Sequence, residues 1–461
     1  MFRLQQDRLG PERLADEAEL KAWVEEQTGQ SIASWRRISG GNRCHSWAIE
    51  FSVPSVQPLY LRYQPPRPSS AEPYTVWREA RIYEALKETD VTAPRLCAVH
   101  PEHQAILTEL RPGRADYRSL NDESERQSIA LEFVEAIAQL HRTPFPVAAI
   151  PGLTELMSIA DCVRDELKIW RAMYAETAMP DPLIEFAMDW LEDNVPEPAG
   201  RPVLVHGDAG PGNFLFQNGH MTALLDWELA HPGDPMEDLA WFSMRSVMEP
   251  VPDFAAAILH YQAAGGAVLD LARIHYHRVF VSTRVVIIRH RNVTGQPGNS
   301  IISRALNRRL LVDALAEASG VTLLQSPPLE AAPTPRTELY DGVIASLREE
   351  IATATNDPHI IAASKNNAKV LKYLREADRL GALVCQRELA DLSALLGSPL
   401  PSVEDGRAQL IAGLRDRNIP FDTALRFFAQ RVANDAQMAA LASGGLASRK
   451  LPSLDSLEGK K

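Results

Sequence analysis

The apolar residues of the first hundred positions switch between helical and strand-like spacing. Residues 13–27 place Leu20 and Trp23 near one face of a helix, so an opening helix is predicted there. From Ile38, a glycine-containing turn and the alternating segment PLYLRYQ predict a pair of strands. Helical spacing returns over residues 75–87, and two further short strands follow in RLCAVH and QAILTEL. The expected product is a small antiparallel sheet with one helix between its strand pairs.

The rest of the chain is predicted to be mostly helical. Helical patterns dominate over residues 123–140 and again over residues 158–193. The segment LLQSPPLEAAPTPRT, residues 323–337, contains four prolines, which favour extended backbone and indicate an interdomain linker. Beyond it, apolar residues recur at helical spacing, so residues 338 to about 442 are predicted to form a helical bundle.

Length and charge narrow the class of protein. A chain of 461 residues exceeds the roughly 250 to 300 residues that one core supports, so two or three packing units are expected. The hydrophobic content of 45% and the charged content of 23% are typical of a folded globular protein. The net charge of −12 argues against nucleic-acid binding, because neutralising phosphates requires a basic face. An anionic ligand would therefore need local cations or a metal in one cleft.

The cysteines and the apolar stretches give no sign of secretion or of a membrane segment. Cys44, Cys97, Cys162 and Cys385 lie far apart and form no CxxC pair, which fits a reducing cytoplasm. The N-terminal residues contain no apolar signal core, and the stretch Val279–Ile288 is too short to span a bilayer. We therefore expect a cytoplasmic protein without a membrane partner.

The segment VLVHGDAGPGNFLFQNGHMTALLDWELAHPGDPMEDLAWF carries the clearest chemical signal. An apolar strand leads into Asp208, Asn213 follows five residues later, and a second strand leads into Asp226. Phosphoryl transfer requires a carboxylate to orient the attacking hydroxyl and oxygen ligands to hold Mg²⁺ against the nucleotide phosphates. Because Mg²⁺ usually takes only one or two protein carboxylates, these three residues are sufficient for both roles.

The spacing HGDxxxxN followed by LLDWE resembles the catalytic segment of aminoglycoside and choline kinases. The resemblance implies an α+β, two-lobed protein-kinase-like fold, with a small antiparallel sheet in the N-lobe and a mainly helical C-lobe. It implies that Asp208 is the catalytic base, that Asn213 and Asp226 bind Mg²⁺, and that His206 is structural. It implies ATP as the nucleotide, and the motif does not decide between ATP and GTP.

By the same resemblance, the N-terminal half should contain a phosphate-covering turn and a cation held by a carboxylate. Gly40, Gly41 and Asn42 match the turn, Arg62 ends the strand LYLR, and Glu79 lies on the following helix. We predict an ion pair between Arg62 and Glu79. Aminoglycoside kinases have Lys at the position of Arg62, but LRYQPP is similar to a subgroup associated with acyl-CoA metabolism. A lone GG turn is otherwise more often a simple hairpin.

Several other polar residues keep two interpretations. Glu109 and Arg111 follow the last N-lobe strand and match a hinge whose backbone would contact adenine. Glu228, Asp234 and Asp238 are candidates to orient Asp226, support its loop or contact metal. Asp234 and Asp238 fit a helix cap and first turn equally well, since acidic residues favour helix N-termini.

Histidines and arginines further along the chain are ambiguous in the same way. His141 is predicted to be a packed histidine rather than a base, and His290 is either a surface residue or faces a substrate. The basic run is either a solvated helix face or a clamp for an anionic substrate. Its members are Arg284, Arg289, Arg291, Arg308 and Arg309.

The leading hypothesis is Mg²⁺-dependent transfer of the ATP γ-phosphate to a hydroxyl of a small molecule, with a hydroxyacyl or related metabolite as acceptor. The alternative is a catalytically silent kinase-like protein that binds a nucleotide or acyl ligand and acts through its helical domain. That domain resembles a helical domain of unknown function, and its amphipathic helices are candidates for homodimerisation. The predicted domains are an N-lobe (1–111), a C-lobe (112–322), a linker (323–337) and a helical domain with a disordered tail (338–461).

Overall fold

The structure, a computed structural model, describes residues 15–38, 44–66, 71–145, 158–177, 179–291 and 299–458. The chain divides into two compact units, each built from separate stretches of sequence. Unit 1 comprises Met1–Glu176, Pro196–Leu271 and Pro452–Lys461, and unit 2 comprises Thr177–Val195 and Ala272–Leu451. The domain boundaries predicted from the sequence remain a prediction. Within the described residues, every helix is too short or too polar to cross a bilayer.

Unit 1 contains all of the described strands and seven of the described α-helices. The strands are β1 (Ile32–Ile38), β2 (His45–Phe51), β3 (Leu59–Tyr63), β4 (Leu96–Val99), β5 (Ala105–Glu109), β6 (Val203–Val205), β7 (Phe214–Gln217), β8 (His220–Leu224) and β9 (His231–Gly233). Its helices are α1 (Glu17–Thr28), α2 (Val76–Leu86), α3 (Glu123–Arg142), α4 (Ile159–Ala175), α6 (Pro235–Met248), α7 (Phe254–Ala263) and α14 (Asp455–Glu458).

The first five strands form one antiparallel sheet with the order β1-β2-β3-β5-β4. The predicted strands and the helix at 75–87 are confirmed, and the sheet begins earlier than expected, at Ile32. Alternation along β3 sends Leu61 and Tyr63 into a core with α1, where Leu20 and Trp23 are buried as predicted. Residue 62 therefore projects from the opposite face of the strand.

Helix α2 lies next to the sheet and begins at a defined cap. Thr75 adopts extended backbone, and its side chain accepts a hydrogen bond from the backbone N–H of Arg78. Val76, Ile82 and Leu86 are buried at helical spacing, which explains why this segment forms an amphipathic helix. The cap and the buried stripe together fix the position of Glu79, which is fully buried within the first turn.

The remainder of unit 1 combines short strand pairs with helices. Strand β6 pairs with β9, and β7 pairs with β8, both antiparallel. Two stacked ring pairs, Phe133 with Phe214 and Phe242 with Phe254, join α3 to β7 and α6 to α7. These contacts hold the segment between β6 and α6 in a fixed frame.

The described residues of unit 2 form helices and the segments that connect them, without a strand. They are α5 (Pro182–Asp193), α8 (Leu271–Arg291), α9 (Asn299–Ser319), α10 (Thr337–Ala345), α11 (Pro358–Leu396), α12 (Val403–Arg415) and α13 (Phe421–Ser443), with a π-helical turn at Ser346–Ile351. The helical pattern at 158–193 is two helices rather than one. Pro180 and Pro182 interrupt it, and the Asp181 carboxylate accepts from the backbone N–H groups of Leu183 and Ile184 to begin α5.

The proline-rich segment lacks helix and strand, as predicted, but one of its residues joins a core. Leu329 is buried against Leu380, Val384 and Met438, so this stretch packs on the bundle that follows it. The predicted α+β class, with a sheet-containing N-terminal region and helices at the C-terminus, is confirmed.

Candidate active site

Strand β6 ends directly in a tight turn that carries the HGD segment. Gly207 has φ 78°, and a Cβ at this position would lie 2.3 Å from the carbonyl oxygen of Leu229. Glycine is therefore required on two grounds, the left-handed backbone and the close approach. The ring of His206 is buried beside the turn, and its Nε2 lies 2.8 Å from the carbonyl oxygen of Leu225. His206 is fully buried and packs on Trp227, which agrees with the structural role predicted for it.

A buried carboxylate on α6 supports this turn from behind. Asp238 accepts hydrogen bonds from the backbone N–H groups of His206 (2.8 Å) and Gly207 (2.9 Å). Its Oδ2 also lies 3.0 Å from Nε2 of His141, whose Nδ1 lies 2.8 Å from the hydroxyl of Tyr261. The prediction that His141 is a packed histidine is confirmed, and Asp238 supports the loop. Asp234 caps α6 by accepting from the backbone N–H of Met236 at 2.9 Å.

The structure brings Asp208 and Asn213 into direct contact. The amide nitrogen of Asn213 donates to the backbone carbonyl of Asp208 at 2.7 Å and to its carboxylate Oδ2 at 2.9 Å. Because the amide nitrogen is used in this way, the side-chain oxygen of Asn213 is the atom left for a metal. The two motif residues therefore lie together, and their predicted roles remain a prediction.

Arg245, which the sequence did not single out, holds the same carboxylate. Its Nε donates to Oδ1 of Asp208 at 2.8 Å, and its Nη2 donates to Oδ2. Burial would lower the pKa of Arg245, but Asp208, together with Asp226 and Glu249, raises it. A Cβ on Gly210 would lie 2.6 Å from Cβ of Arg245, so glycine at this position makes room for the arginine.

Asp226 follows β8 in a strained conformation. Its backbone has φ 67°, a left-handed geometry that is uncommon outside glycine and is typical of functional sites. Its Oδ1 lies 2.6 Å from Nη1 of Arg62. Burial would raise the pKa of Asp226, but the guanidinium of Arg62, together with Arg245 and His206, holds it below its ordinary value. The turn therefore presents an ionised carboxylate.

Arg62 is shared by three carboxylates. The predicted pair with Glu79 is confirmed, with Nε of Arg62 3.2 Å from the carboxylate, and Nη2 lies 2.5 Å from Glu228. Burial alone would lower the pKa of Arg62, but Asp226, Glu79 and Glu228 raise it well above its ordinary value. Burial raises the pKa of Glu79 to about 7. The negative charges of Asp226 and Glu228 raise it further, and the positive charge of Arg62 only partly opposes them.

Arg78 fixes the backbone that follows Asp226. Its guanidinium donates to the carbonyl oxygens of Glu228 at 3.0 Å and Ala230 at 2.6 Å. Adjacent residues of α2, Arg78 and Glu79, thereby connect this helix to the turn and to β3. Sequence analysis missed Arg78, whose only signal is its position next to Glu79.

The predicted nucleotide contacts divide into described and undescribed parts. Gly40, Gly41 and Asn42 lie outside the described residues. The backbone N–H of Glu109 donates to the carbonyl of Arg95 at 2.9 Å, so it is engaged within the sheet. The side chain of Arg111 donates to the carbonyl of Thr222 at 3.0 Å, which connects the segment after β5 to β8. The predicted adenine contacts at Glu109 and Arg111 remain a prediction.

The donor set of Asn213 and Asp226 fits Mg²⁺. Both supply hard oxygen ligands, and the fixed amide nitrogen of Asn213 leaves only its oxygen for coordination. Within the described residues there is no cluster of three His, Cys, Asp or Glu residues at metal-binding geometry.

A family model for the phosphotransferase enzyme family matches residues 34–274, more than half of the chain. Among curated proteins, acyl-CoA dehydrogenase family member 11 from Homo sapiens is 28% identical over 200 residues, which is 41% of this chain and 25% of that protein. Member 10 from Mus musculus is 26% identical over 196 residues, 40% of this chain and 18% of that protein. The chain thus matches a quarter or less of the length of these relatives.

Two solved structures are similar over most of their own length. One is a thermostable mutant of aminoglycoside phosphotransferase APH(4)-Ia in a ternary complex with AMP-PNP and hygromycin B. It has 17% identity and a TM-score of 0.48, covering 66% of this chain and 99% of that one. The other is the macrolide 2′-phosphotransferase MphH apoenzyme from Brachybacterium faecium. It has 23% identity and a TM-score of 0.43, covering 62% and 96%. The resemblance stated from the sequence is confirmed by the family match.

Proposed function

We propose that this chain, which belongs to the phosphotransferase enzyme family, transfers the γ-phosphate of ATP to a hydroxyl group of a small molecule. The observation that carries the proposal is the contact between Asp208 and Asn213, beside the strained turn that presents Asp226. These residues match the roles that phosphoryl transfer requires, and they lie at the ends of consecutive short strands.

Asp208 accepts the proton of the attacking hydroxyl and orients its oxygen toward the γ-phosphorus. The new bond forms between that oxygen and phosphorus, and the bond to the ADP oxygen breaks. Arg245 keeps the Asp208 carboxylate in one orientation through two charge-assisted hydrogen bonds. This geometry supplies the positioning that dominates catalysis of phosphoryl transfer.

Asn213 and Asp226 would hold Mg²⁺, which when bound neutralises charge on the nucleotide phosphates. Arg62 lies against Asp226, so it is placed either to contact the phosphates or to return to the carboxylate when nucleotide leaves. For the acceptor, we propose a hydroxyacyl or related metabolite. Its support is the LRYQPP segment and the similarity to acyl-CoA dehydrogenase family members 10 and 11.

Thermal unfolding with and without Mg²⁺ and saturating ATP or GTP tests the nucleotide site without knowledge of the acceptor. A ligand at 100 times its dissociation constant adds about 2.7 kcal/mol, or roughly 5 to 10 °C for a unit that unfolds alone. We expect an Mg²⁺-dependent rise in the wild type that is lost in Asp226→Ala. The absence of any rise with either nucleotide would contradict the proposal.

Turnover is tested by screening hydroxyl compounds for loss of ATP, with Asp208→Asn as the matched variant. We expect phosphate transfer by the wild type and loss of at least about 100-fold in Asp208→Asn. Nucleotide binding without transfer to any acceptor would instead favour the silent kinase-like alternative.

A further inference from the structure

The guanidinium of Arg62 reaches three carboxylates through three different nitrogens. Its Nε lies 3.2 Å from Glu79, its Nη1 lies 2.6 Å from Asp226, and its Nη2 lies 2.5 Å from Glu228. Because a guanidinium is planar and rigid, these contacts fix its orientation as well as its position. A lysine at the same position would carry one compact ammonium and could not span the three carboxylates in this way.

One of these contacts occupies the carboxylate that the proposed function assigns to the metal. Oδ1 of Asp226, the oxygen that faces Arg62, is enclosed, whereas the side chain of Asp226 as a whole is 34% exposed. Both oxygens belong to one carboxylate, so a cation bound to either of them lies close to the guanidinium. Arg62 is itself only 13% exposed, so little water screens the repulsion between the two positive charges. Arg62 therefore opposes the binding of a metal ion at Asp226.

Arg62 would keep two of its partners after releasing Asp226. Its Nε and Nη2 lie beside Glu79 and Glu228, and Glu79 is fully buried. An enclosed charge that loses every partner is strongly destabilising, and these two carboxylates prevent that outcome. Only Nη1 would need a new acceptor. An oxygen of a nucleotide phosphate is an acceptor that guanidinium groups match well.

We propose that Arg62 is an internal cation that competes with the metal for Asp226, so that the site binds a metal ion tightly only together with a nucleotide. In the empty site, Arg62 keeps Asp226 occupied. The nucleotide phosphates supply the negative charge that allows Arg62 and the metal to lie side by side. This inference rests on the proposed function, because it takes Asp226 as a metal ligand. It adds a coupling between two ligands, which is reciprocal by thermodynamic necessity.

Binding of Mn²⁺ to the full chain, followed by electron paramagnetic resonance of the free ion, measures this competition without turnover. Mn²⁺ prefers the same oxygen ligands as Mg²⁺. Arg62→Lys keeps the positive charge and removes the fork that reaches Asp226, so without nucleotide it should bind Mn²⁺ at least about tenfold more tightly than the wild type. Arg62→Gln removes the charge as well and should bind at least as tightly. Arg95→Lys changes an arginine whose side chain is 61% exposed and should behave as the wild type does.

The same titrations with saturating AMP-PNP measure the coupling. The nucleotide should raise the Mn²⁺ affinity of the wild type by a factor at least about tenfold larger than in Arg62→Lys, because the variant has no competition to relieve. Equal factors in the two proteins would overturn the proposal, since the nucleotide would then not act through Arg62.

Asp226→Ala in the Arg62→Lys background separates failure of this inference from failure of the proposed function. Loss of Mn²⁺ binding in that double variant is the expected result. Mn²⁺ binding that persists there, or that is absent from the wild type even with AMP-PNP, would contradict the proposed function itself. Binding that requires Asp226 but is equally tight in the wild type, Arg62→Lys and Arg62→Gln would leave the proposed function standing and overturn the competition.

Discussion

The chemistry at the residue scale depends on how two arginines are shared among four carboxylates. Arg62 serves Glu79, Asp226 and Glu228, while Arg245 serves Asp208. One guanidinium only partly offsets the repulsion among three carboxylates, and Glu79, the most buried of the three, has a raised pKa. The cluster around Arg62 therefore carries an excess of negative charge, which a bound metal ion would reduce.

Arg245 is predicted to be a positioning residue for Asp208. Arg245→Gln removes both hydrogen bonds to the carboxylate, and we expect kcat to fall by about 10- to 100-fold with little change in the KM for ATP. Arg245→Lys keeps the charge but not the planar fork, so it should recover part of the loss. Arg118→Gln removes an exposed arginine of the same unit and is the control. A rise in KM with unchanged kcat would show that Arg245 binds nucleotide instead.

Glu79 is predicted to make stability depend on pH. Its pKa of about 7 in the folded chain exceeds the ordinary value of 4.5, because burial disfavours its charge. The folded state then binds more protons than the unfolded state, so stability falls as the pH rises from 4.5 to 7. Glu79→Gln mimics the protonated form and lacks this loss. The Tm of Glu79→Gln minus the Tm of the wild type should therefore be larger at pH 8 than at pH 5, by at least about 2 °C.

The matched control for this experiment is Glu84→Gln, an exposed position on the same helix. Its Tm should follow that of the wild type at every pH. If Glu79→Gln and the wild type also gave parallel curves, Glu79 would titrate at its ordinary pH, and the assignment of the raised pKa would be wrong.

At the scale of elements, helix α6 fixes the loop that carries Asp208, although the two are well separated in the sequence. Asp238 accepts from the N–H groups of His206 and Gly207 and contacts His141, so one buried carboxylate fixes the loop that carries Asp208. Strand β6 alone would leave these donors without partners. The position of the loop that carries Asp208 is thus determined by a helix that begins almost thirty residues later in the chain.

Replacing Asp238 with Asn should loosen this loop. Asn has a single acceptor oxygen, and its NH₂ group would face a donor, so at least one buried N–H loses its partner at about 1–3 kcal/mol. We expect Tm to fall by at least about 3 °C and phosphate transfer to fall with it. Asp253→Asn changes an exposed helix cap that Asn satisfies equally well and should be neutral. If the two variants melted together, Asp238 would not be the support of the loop.

The elements and the motif residues could be predicted because their signals are local. Periodicity identified α2 and β3, and fixed spacing identified Asp208, Asn213 and Asp226. For Asp238 the sequence offered support of the loop as one of several roles, but Arg78 and Arg245 were missed because their partners lie more than thirty residues away in the chain. Local spacing carries no information about such partners. The interruption before α5 was readable from Pro180 and Pro182, but the run of apolar residues on both sides concealed it.

At the scale of the whole molecule, the helical unit is not a simple C-terminal addition. Unit 2 takes α5 from the middle of the chain and joins it to helices from residue 272 onward. The predicted homodimer remains a prediction. Leu339 and Val343 of α10 are exposed apolar residues and would be the first to replace in a sedimentation experiment.

The late helices should be required for α5 and α9 to fold. Phe186 of α5 lies 5.0 Å from the ring of Phe421 and 5.1 Å from the ring of Phe428, and α13 packs along α9. Phe428→Ala should cost about 3–5 kcal/mol, because it removes a buried ring from this contact. Phe427→Ala, at a half-buried position on the same helix, should cost clearly less.

A chain ending at Thr337 would expose Phe186 and the apolar face of α9, so we expect it to aggregate or to lose cooperative melting. Cooperative melting of that truncated chain, together with equal effects of the two Phe variants, would show that unit 2 does not share one core.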